Sequence, residues 1–183
     1  MKSAALGLTM MLVLASGAFG PARADSSPPL LVPGYEAAKD IPGAKELPDP
    51  KTDYKVVFAD GQEAKNPGDI NPMLPTIATY LNTLGKAGVP AEHRHIVIMF
   101  HQRNPDMDIV MSNEAYKERY HRDNPNIAII HALKQAGVDI RACGQGLIAR
   151  KIDPKQVNPD VQIDLWAMTT LVNLQLRGFV RVG

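Results

Sequence analysis

The chain is 183 residues long with 45% hydrophobic and 21% charged residues, a globular composition that excludes disordered, collagenous and disulfide-rich classes. Its 20 basic and 19 acidic residues give a formal charge of +1, so no basic excess marks nucleic acid or an anionic membrane as its partner. The length fits one domain with one core, and the single cysteine, Cys143, excludes a disulfide within the chain.

Residues 1–24 read as a secretory signal. Lys2 supplies the positive end, an apolar run extends from Ala4 to Phe19, and Gly20-Pro21 break it. The small residues Ala22 and Ala24 fit a signal peptidase, with cleavage expected before Asp25. The run is short for a retained anchor, and no cysteine stands at position 25 to carry a lipid. No other segment is apolar enough to span a bilayer. The expected location is therefore the periplasm, with no membrane association after cleavage.

Residues 25–52 form a proline-rich arm. Pro28, Pro29, Pro33, Pro42, Pro48 and Pro50 remove amide donors and disfavour helix at the residues before them. Leu30, Leu31, Val32, Tyr35 and Ile41 leave two outcomes open: an arm laid across the domain or a neighbouring subunit, or a flexible tether.

From residue 53 to 183 strand and helix patterns alternate. Lys55 to Ala59 is a β-rich run ended by Asp60-Gly61. Asn71-Pro72 starts a helix whose stripe is Met73, Leu74, Ile77, Leu81 and Leu84, stopped by Gly88. His95 to His101 is apolar between its two histidines, as in a strand buried on both faces. A short polar helix follows from Ser112 to Tyr120, with its charge run solvated. A second runs from about Pro125 to Ala136, capped by Asn124, with Ile127, Ile130, Leu133 and the stem of Lys134 as its stripe. Val138 to Cys143 is the third strand, and Gly144 to Arg150 turns into a helix. Asp153-Pro154 begins a short turn, Val161 to Leu165 is a fourth strand, and a helix to Arg177 places Met168, Leu171, Val172 and Leu176 inward. Phe179 to Val182 is the last strand. Strands separated by helices require parallel crossovers, so the expected fold is α/β: a three-layer α/β/α sandwich around a mainly parallel five-stranded sheet.

In open parallel sheets ligands gather beyond the carboxyl ends of the strands. Those ends carry Asp60, His101-Gln102-Arg103, Cys143-Gly144-Gln145 and Trp166. Cys143 sits where strand turns into helix, and amides at a helix start favour a thiolate over a thiol. Gly144 and Gly146 leave the backbone uncovered for a small group on sulfur. His101 is a candidate proton acceptor or charged neighbour, Asp60 its orienting partner, and Gln145 a donor to the sulfur or its cargo. A buried, inert cysteine is the competing reading. His93 and His95 lack a third ligand and read as a polar strand entrance. Met73, Met99 and Met168 read as core, and Trp166 as an interface anchor or core ahead of a place in a pocket wall. The absence of a phosphate loop, a Gly-x-Ser-x-Gly turn and a zinc-ligand series leaves no cofactor and no metal to expect.

Several segments carry a resemblance: Asp53 to Phe58, Asn71-Pro72 to Gly88-Val89, Asp123-Asn124-Pro125-Asn126 with Ala136-Gly137-Val138, and above all Cys143-Gly144-Gln145 and Ala167-Met168-Thr169-Thr170-Leu171. In order and spacing they resemble the DsrE/DsrF-like family of sulfur-oxidation and sulfur-relay proteins, in particular its secreted members, over residues 53–182. The sequence departs from those secreted members at Phe100-His101-Gln102, where they commonly show a His-Gly pair. The resemblance implies an α/β/α domain assembled into trimers or hexamers. In the relay members a cysteine after the third strand receives sulfur as a persulfide and hands it on, and Cys143 matches that position. The expected function is then a periplasmic sulfur carrier whose partners are a sulfur donor or acceptor protein or a small sulfur compound. The alternative is a non-catalytic periplasmic binding or assembly protein with an inert cysteine. A carrier needs no turnover, so the expectation stops short of calling the protein an enzyme.

Overall fold

Apolar runs of strand length and capped helical stripes alternate through the second half of the first hundred residues and beyond. The computed structural model describes residues 28–59, 62–101 and 107–183; the expected signal segment, Asp60, Gln102 and Arg103 lie outside the described residues. In chain order the regular elements are β1 (Tyr54–Phe58), α1 (Met73–Lys86), β2 (Arg94–Phe100), α2 (Asn113–Tyr120), α3 (Ile127–Gln135), β3 (Asp139–Cys143), α4 (Gly144–Arg150), β4 (Gln162–Asp164), α5 (Ala167–Leu176) and β5 (Val180–Val182). Single 3-10 turns occupy Ala91–His93, Met107–Val110 and Pro154–Gln156.

The strands form one sheet in the order β4-β3-β2-β1-β5, and every neighbouring pair is parallel. This is the α/β fold the alternation implies. Alternate residues share a face, so the register sorts the side chains. Val57, Val97, Met99, Arg141, Cys143, Asp164 and Arg181 lie on one face. Phe58 lies on the other, where its ring meets Tyr80 of α1 edge-on with centroids 5.8 Å apart. Helix α5 returns from β4 to β5 across the first face, where Thr170 bonds to Asp164. The core is continuous through the sheet: Val57, Ile98, Met99, Phe100, Ile140 and Ala142 are all buried.

All five expected stripe residues of α1 are buried. Asn71 caps by accepting from the Met73 N–H at 3.0 Å, and Gly88 ends the helix with a positive φ of 81°. In α2, Ser112 accepts from the Ala115 N–H as expected of a cap. Helix α3 begins at Ile127, later than Pro125, and Asn124 makes before it the same bond that Asn71 makes before α1, accepting the Asn126 N–H at 3.0 Å. Asn124 donates to the carbonyls of Ile109 and Met111, and Asn126 accepts from the Asn71 N–H at 2.8 Å. Lys134 is exposed and adds nothing to the stripe.

A buried carboxylate holds α2 against the chain before it. Asp108 accepts from Arg119 and from the Tyr120 hydroxyl, each at 2.7 Å. Burial and the bond to this carboxylate push the Tyr120 phenol up to about 12, so it stays a donor at any physiological pH.

The arm docks on α1. Val32 is fully buried; its N–H donates to the Asn82 side chain at 2.8 Å, and Asn82 donates to the carbonyls of Val32 and Tyr35. Leu31 lies over Gly85 so closely that a Cβ there would stand 2.7 Å from Leu31 Cδ1. Farther along, the Ala38 N–H donates to Thr83 Oγ1 and Lys86 pairs with Asp40.

Helix α5 corrects the expected inward stripe. Met168, Val172 and Leu176 point outward, Leu171 is only partly buried, and Ala167, Thr170 and Leu174 face the sheet. Both sets have helical spacing, so periodicity alone cannot choose. Small Ala167 and hydrogen-bonding Thr170 win because the sheet beneath them carries Cys143 and Asp164. Met168 is 57% exposed and leaves the core set; Trp166 is 45% exposed.

Candidate functional site

Strand β3 delivers Cys143 as its last residue, and α4 starts at the next. The sulfur points to the face that α5 covers. There it accepts the Ala167 N–H, at the first residue of α5, at 3.2 Å. An N–H aimed at sulfur is complementary to negative charge on it. The donor therefore comes from α5, and α4 contributes no side-chain cap bond to Cys143.

Cys143 is 1% exposed, yet its side chain forms part of the wall of a cavity of about 280 Å³. His101 and Arg181 line the sheet side; Trp166, Met168 and Val172 line the helix side. Cys143 is thus nearly fully buried and meets this space as one of its lining residues. Among the described residues no carboxylate lines the cavity.

His101 follows β2 directly. Since Phe100 pairs with Ala142, the next positions bring His101 beside Cys143. Its Nε2 lies 3.1 Å from the Ala59 carbonyl, which can only accept, so Nε2 carries the proton. Any proton exchange with the sulfur must use the other ring nitrogen.

Gly144 and Gln145 take other roles than those expected. A Cβ on Gly144 would stand 3.0 Å from the Asp164 carbonyl oxygen and 3.3 Å from that of Leu165. The missing side chain thus admits the β4–α5 connection, and that backbone occupies the space expected for a group on sulfur. Gln145 donates to the Leu165 carbonyl at 3.5 Å and does not line the cavity. Asp60 lies outside the described residues.

A charged chain underlies the site. Arg141 bonds Asp139 and reaches Asp164 at 3.2 Å; Thr170 of α5 donates to Asp164 at 2.8 Å. Partial burial works to raise the Asp164 carboxyl, but bonds from Gln162 and Thr170 and the Arg141 charge outweigh it and hold it below the usual carboxylate range. This chain ties α5 to β3 and β4 and so positions the Ala167 N–H over the sulfur. The sequence reading missed Thr170, Asp164 and Arg181. Asp164 was detectable as the acidic end of a strand paired with Cys143; Arg181 had no local signal, because its strand is last in sequence and joins the sheet beside β1.

Among the described residues no three His, Cys, Asp or Glu side chains gather as metal ligands, and no helix is long and apolar enough to cross a membrane.

An all-parallel five-stranded sheet with helices on both faces and a cysteine ending the third strand defines an α/β domain with its site at the strand ends. The DsrE/DsrF-like family model matches residues 55–180. The chain belongs to the DsrE/DsrF-like family, which is associated with sulfur relay. A solved structure, described as a protein of unknown function, MTH1491 from Methanobacterium thermoautotrophicum, is similar in fold. It has a TM-score of 0.52 and 18% identity, over 71% of this chain and 98% of that one. A comparison with curated proteins returns no match.

Proposed function

We propose that this protein is a periplasmic sulfur carrier that holds sulfur as a persulfide on Cys143. The observation that supports the reading best is the Cys143 sulfur on the wall of a cavity, with the Ala167 N–H donated to it. The chemistry needs only a thiolate. Cys143 attacks a sulfane sulfur, a new S–S bond forms at Sγ, and the donor departs with the electron pair of the bond that breaks. An acceptor thiolate then attacks the outer sulfur and Cys143 leaves as thiolate, so no oxidant is consumed. A narrow access also protects the thiolate, because oxidation to sulfinic or sulfonic acid would end its service.

Exposure to thiosulfate followed by intact-mass measurement tests this reading. The wild type should gain about 32 Da, one sulfur atom, and Cys143→Ser should gain nothing. An equal gain in both, or none in the wild type, would retire the carrier and leave Cys143 as a packing residue.

The carrier is further proposed to be a homo-oligomer, trimeric or hexameric. Support comes from Leu165 at 77%, Met168 at 57% and Leu176 at 81% exposure, clustered on and before α5. Leu176→Arg should lower the mass seen by light scattering without unfolding the chain; an unchanged mass counts against assembly through α5.

A further inference from the structure

Helix α5 meets the sheet through two matched hydrogen bonds. Cys143 and Asp164 are register partners on the neighbouring strands β3 and β4. Both accept from the same helix: the Ala167 N–H donates to the sulfur at 3.2 Å, and Thr170 Oγ1 donates to Asp164 Oδ2 at 2.8 Å. Ala167 and Thr170 are three residues apart, a separation of about 5–6 Å on a helix surface. Adjacent strands lie about 4.8 Å apart, so the two spacings match and both bonds form at one rotation of α5. Turning the helix by one residue, about 100°, would break both.

Little else fixes that rotation. Trp166, before the first turn, makes no side-chain cap bond. Met168, Val172 and Leu176 point outward, and Ala167, Thr170 and Leu174 are the residues of α5 buried against the sheet. Thr169 is spent on the Trp166 carbonyl, and among the described residues no α5 side chain other than Thr170 has a hydrogen bond to the sheet. Its acceptor is held in turn, since Arg141 and Gln162 donate to Asp164 at 3.2 and 2.6 Å. The Ala167 N–H opens the helix, so it has no carbonyl one turn back within α5, and the sulfur is its partner.

We infer that Thr170 is the positioning residue for the thiol: its bond to Asp164 sets the rotation of α5 that aims the Ala167 N–H at the Cys143 sulfur. The consequence for sulfur transfer rests on the carrier reading; the placement of the N–H stands apart from it. In that reading the sulfur carries negative charge as it begins its attack on a donor and again as it leaves as thiolate. An aimed N–H favours the charge in both steps. Thr170 bonds to Asp164 and acts on the sulfur only through the helix.

Thr170→Val and Thr170→Ser on the folded full chain test this. Valine keeps the branched shape and loses the donor, while serine keeps the donor. Asp164 retains Arg141 and Gln162 in both. Hydrogen exchange at the Ala167 amide reads the bond to sulfur with no sulfur donor present. In Thr170→Val it should speed up about fivefold, the worth of one hydrogen bond, and in Thr170→Ser it should return close to the wild-type rate. The Leu174 amide, farther along α5, is the control, because a general loosening of the helix speeds both amides alike. Uptake of sulfur from thiosulfate should fall in Thr170→Val and recover in Thr170→Ser. Unchanged exchange at Ala167 in Thr170→Val, equal acceleration at Leu174, or no recovery with serine overturns the inference. So does a wild type that takes up sulfur while Thr170→Val takes it up as fast. Acceleration confined to Ala167 and reversed by serine, with a wild type that takes up no sulfur, upholds Thr170 as the residue that places the N–H and removes the carrier reading alone.

Discussion

Asn82→Leu should release the arm from α1 and cost about 2–4 kcal/mol of stability. The two side chains have the same number of heavy atoms and branch alike at Cγ, so the change is chiefly the loss of hydrogen-bonding groups. Asn82 accepts the Val32 N–H and donates to the carbonyls of Val32 and Tyr35. Leucine would leave the Val32 N–H and C=O buried without partners, and each such group costs about 1–3 kcal/mol. The chain escapes part of that cost by lifting the arm into water. Lifting it forfeits the burial of Val32 and the cover of Leu31 over Gly85. Hydrogen exchange at the Val32 amide and limited proteolysis between residues 28 and 50 read the two routes. Fast exchange and early cleavage in the variant, against protection in the wild type, is the expected result. An arm equally protected in both proteins would show that packing alone holds it.

The second large effect is acid lability centred on Asp164. Its folded carboxyl lies below the usual range: burial opposes this, but Gln162, Thr170 and Arg141 outweigh the burial. A carboxylate lowered on folding stabilises the folded state above its unfolded pKa of about 3.9. That contribution is lost as pH falls from there through the lower folded value. Asp164→Asn removes the charge that pairs with Arg141 and weakens the tie to Thr170, at a cost of about 1–3 kcal/mol at neutral pH. Thermal melts from pH 7 down to pH 2 should show a lower Tm for the variant at pH 7. The gap between the proteins should narrow below pH 4. Parallel curves over the whole range would assign the acid limb to other carboxylates. Because α5 is the element released, the Ala167 N–H should leave the sulfur in the same variant. Cys143 alkylation at neutral pH should therefore change along with Tm.

Much of this architecture was legible before any coordinates. The α1 stripe, the Ser112 cap and the buried strand before His101 are local patterns of spacing and capping, and all appear in the structure. The site was legible in outline, since a cysteine between strand and helix must lie at a strand end. Its details were not. Gly144 looked open for cargo but faces the carbonyls of Asp164 and Leu165, which arrive from another strand. Gln145 looked like a sulfur donor but turns to Leu165. Helix α5 offers two stripes of equal period, and the larger apolar one loses because the sheet below it holds Cys143 and Asp164.

By itself the sequence determined the alternation of strands and helices, the parallel sheet that follows from it, and the place of the one thiol at a strand end. Those are consequences of short-range periodicity and chain connectivity. Only the tertiary structure decided that β5 joins the sheet beside β1, and so brings Arg181 to the face of Cys143. It also decided that the arm lies on Asn82 and that the donor to the sulfur comes from α5. Each of these joins residues far apart in the chain, where hydrogen-bond satisfaction and close packing choose among arrangements that local pattern leaves equal.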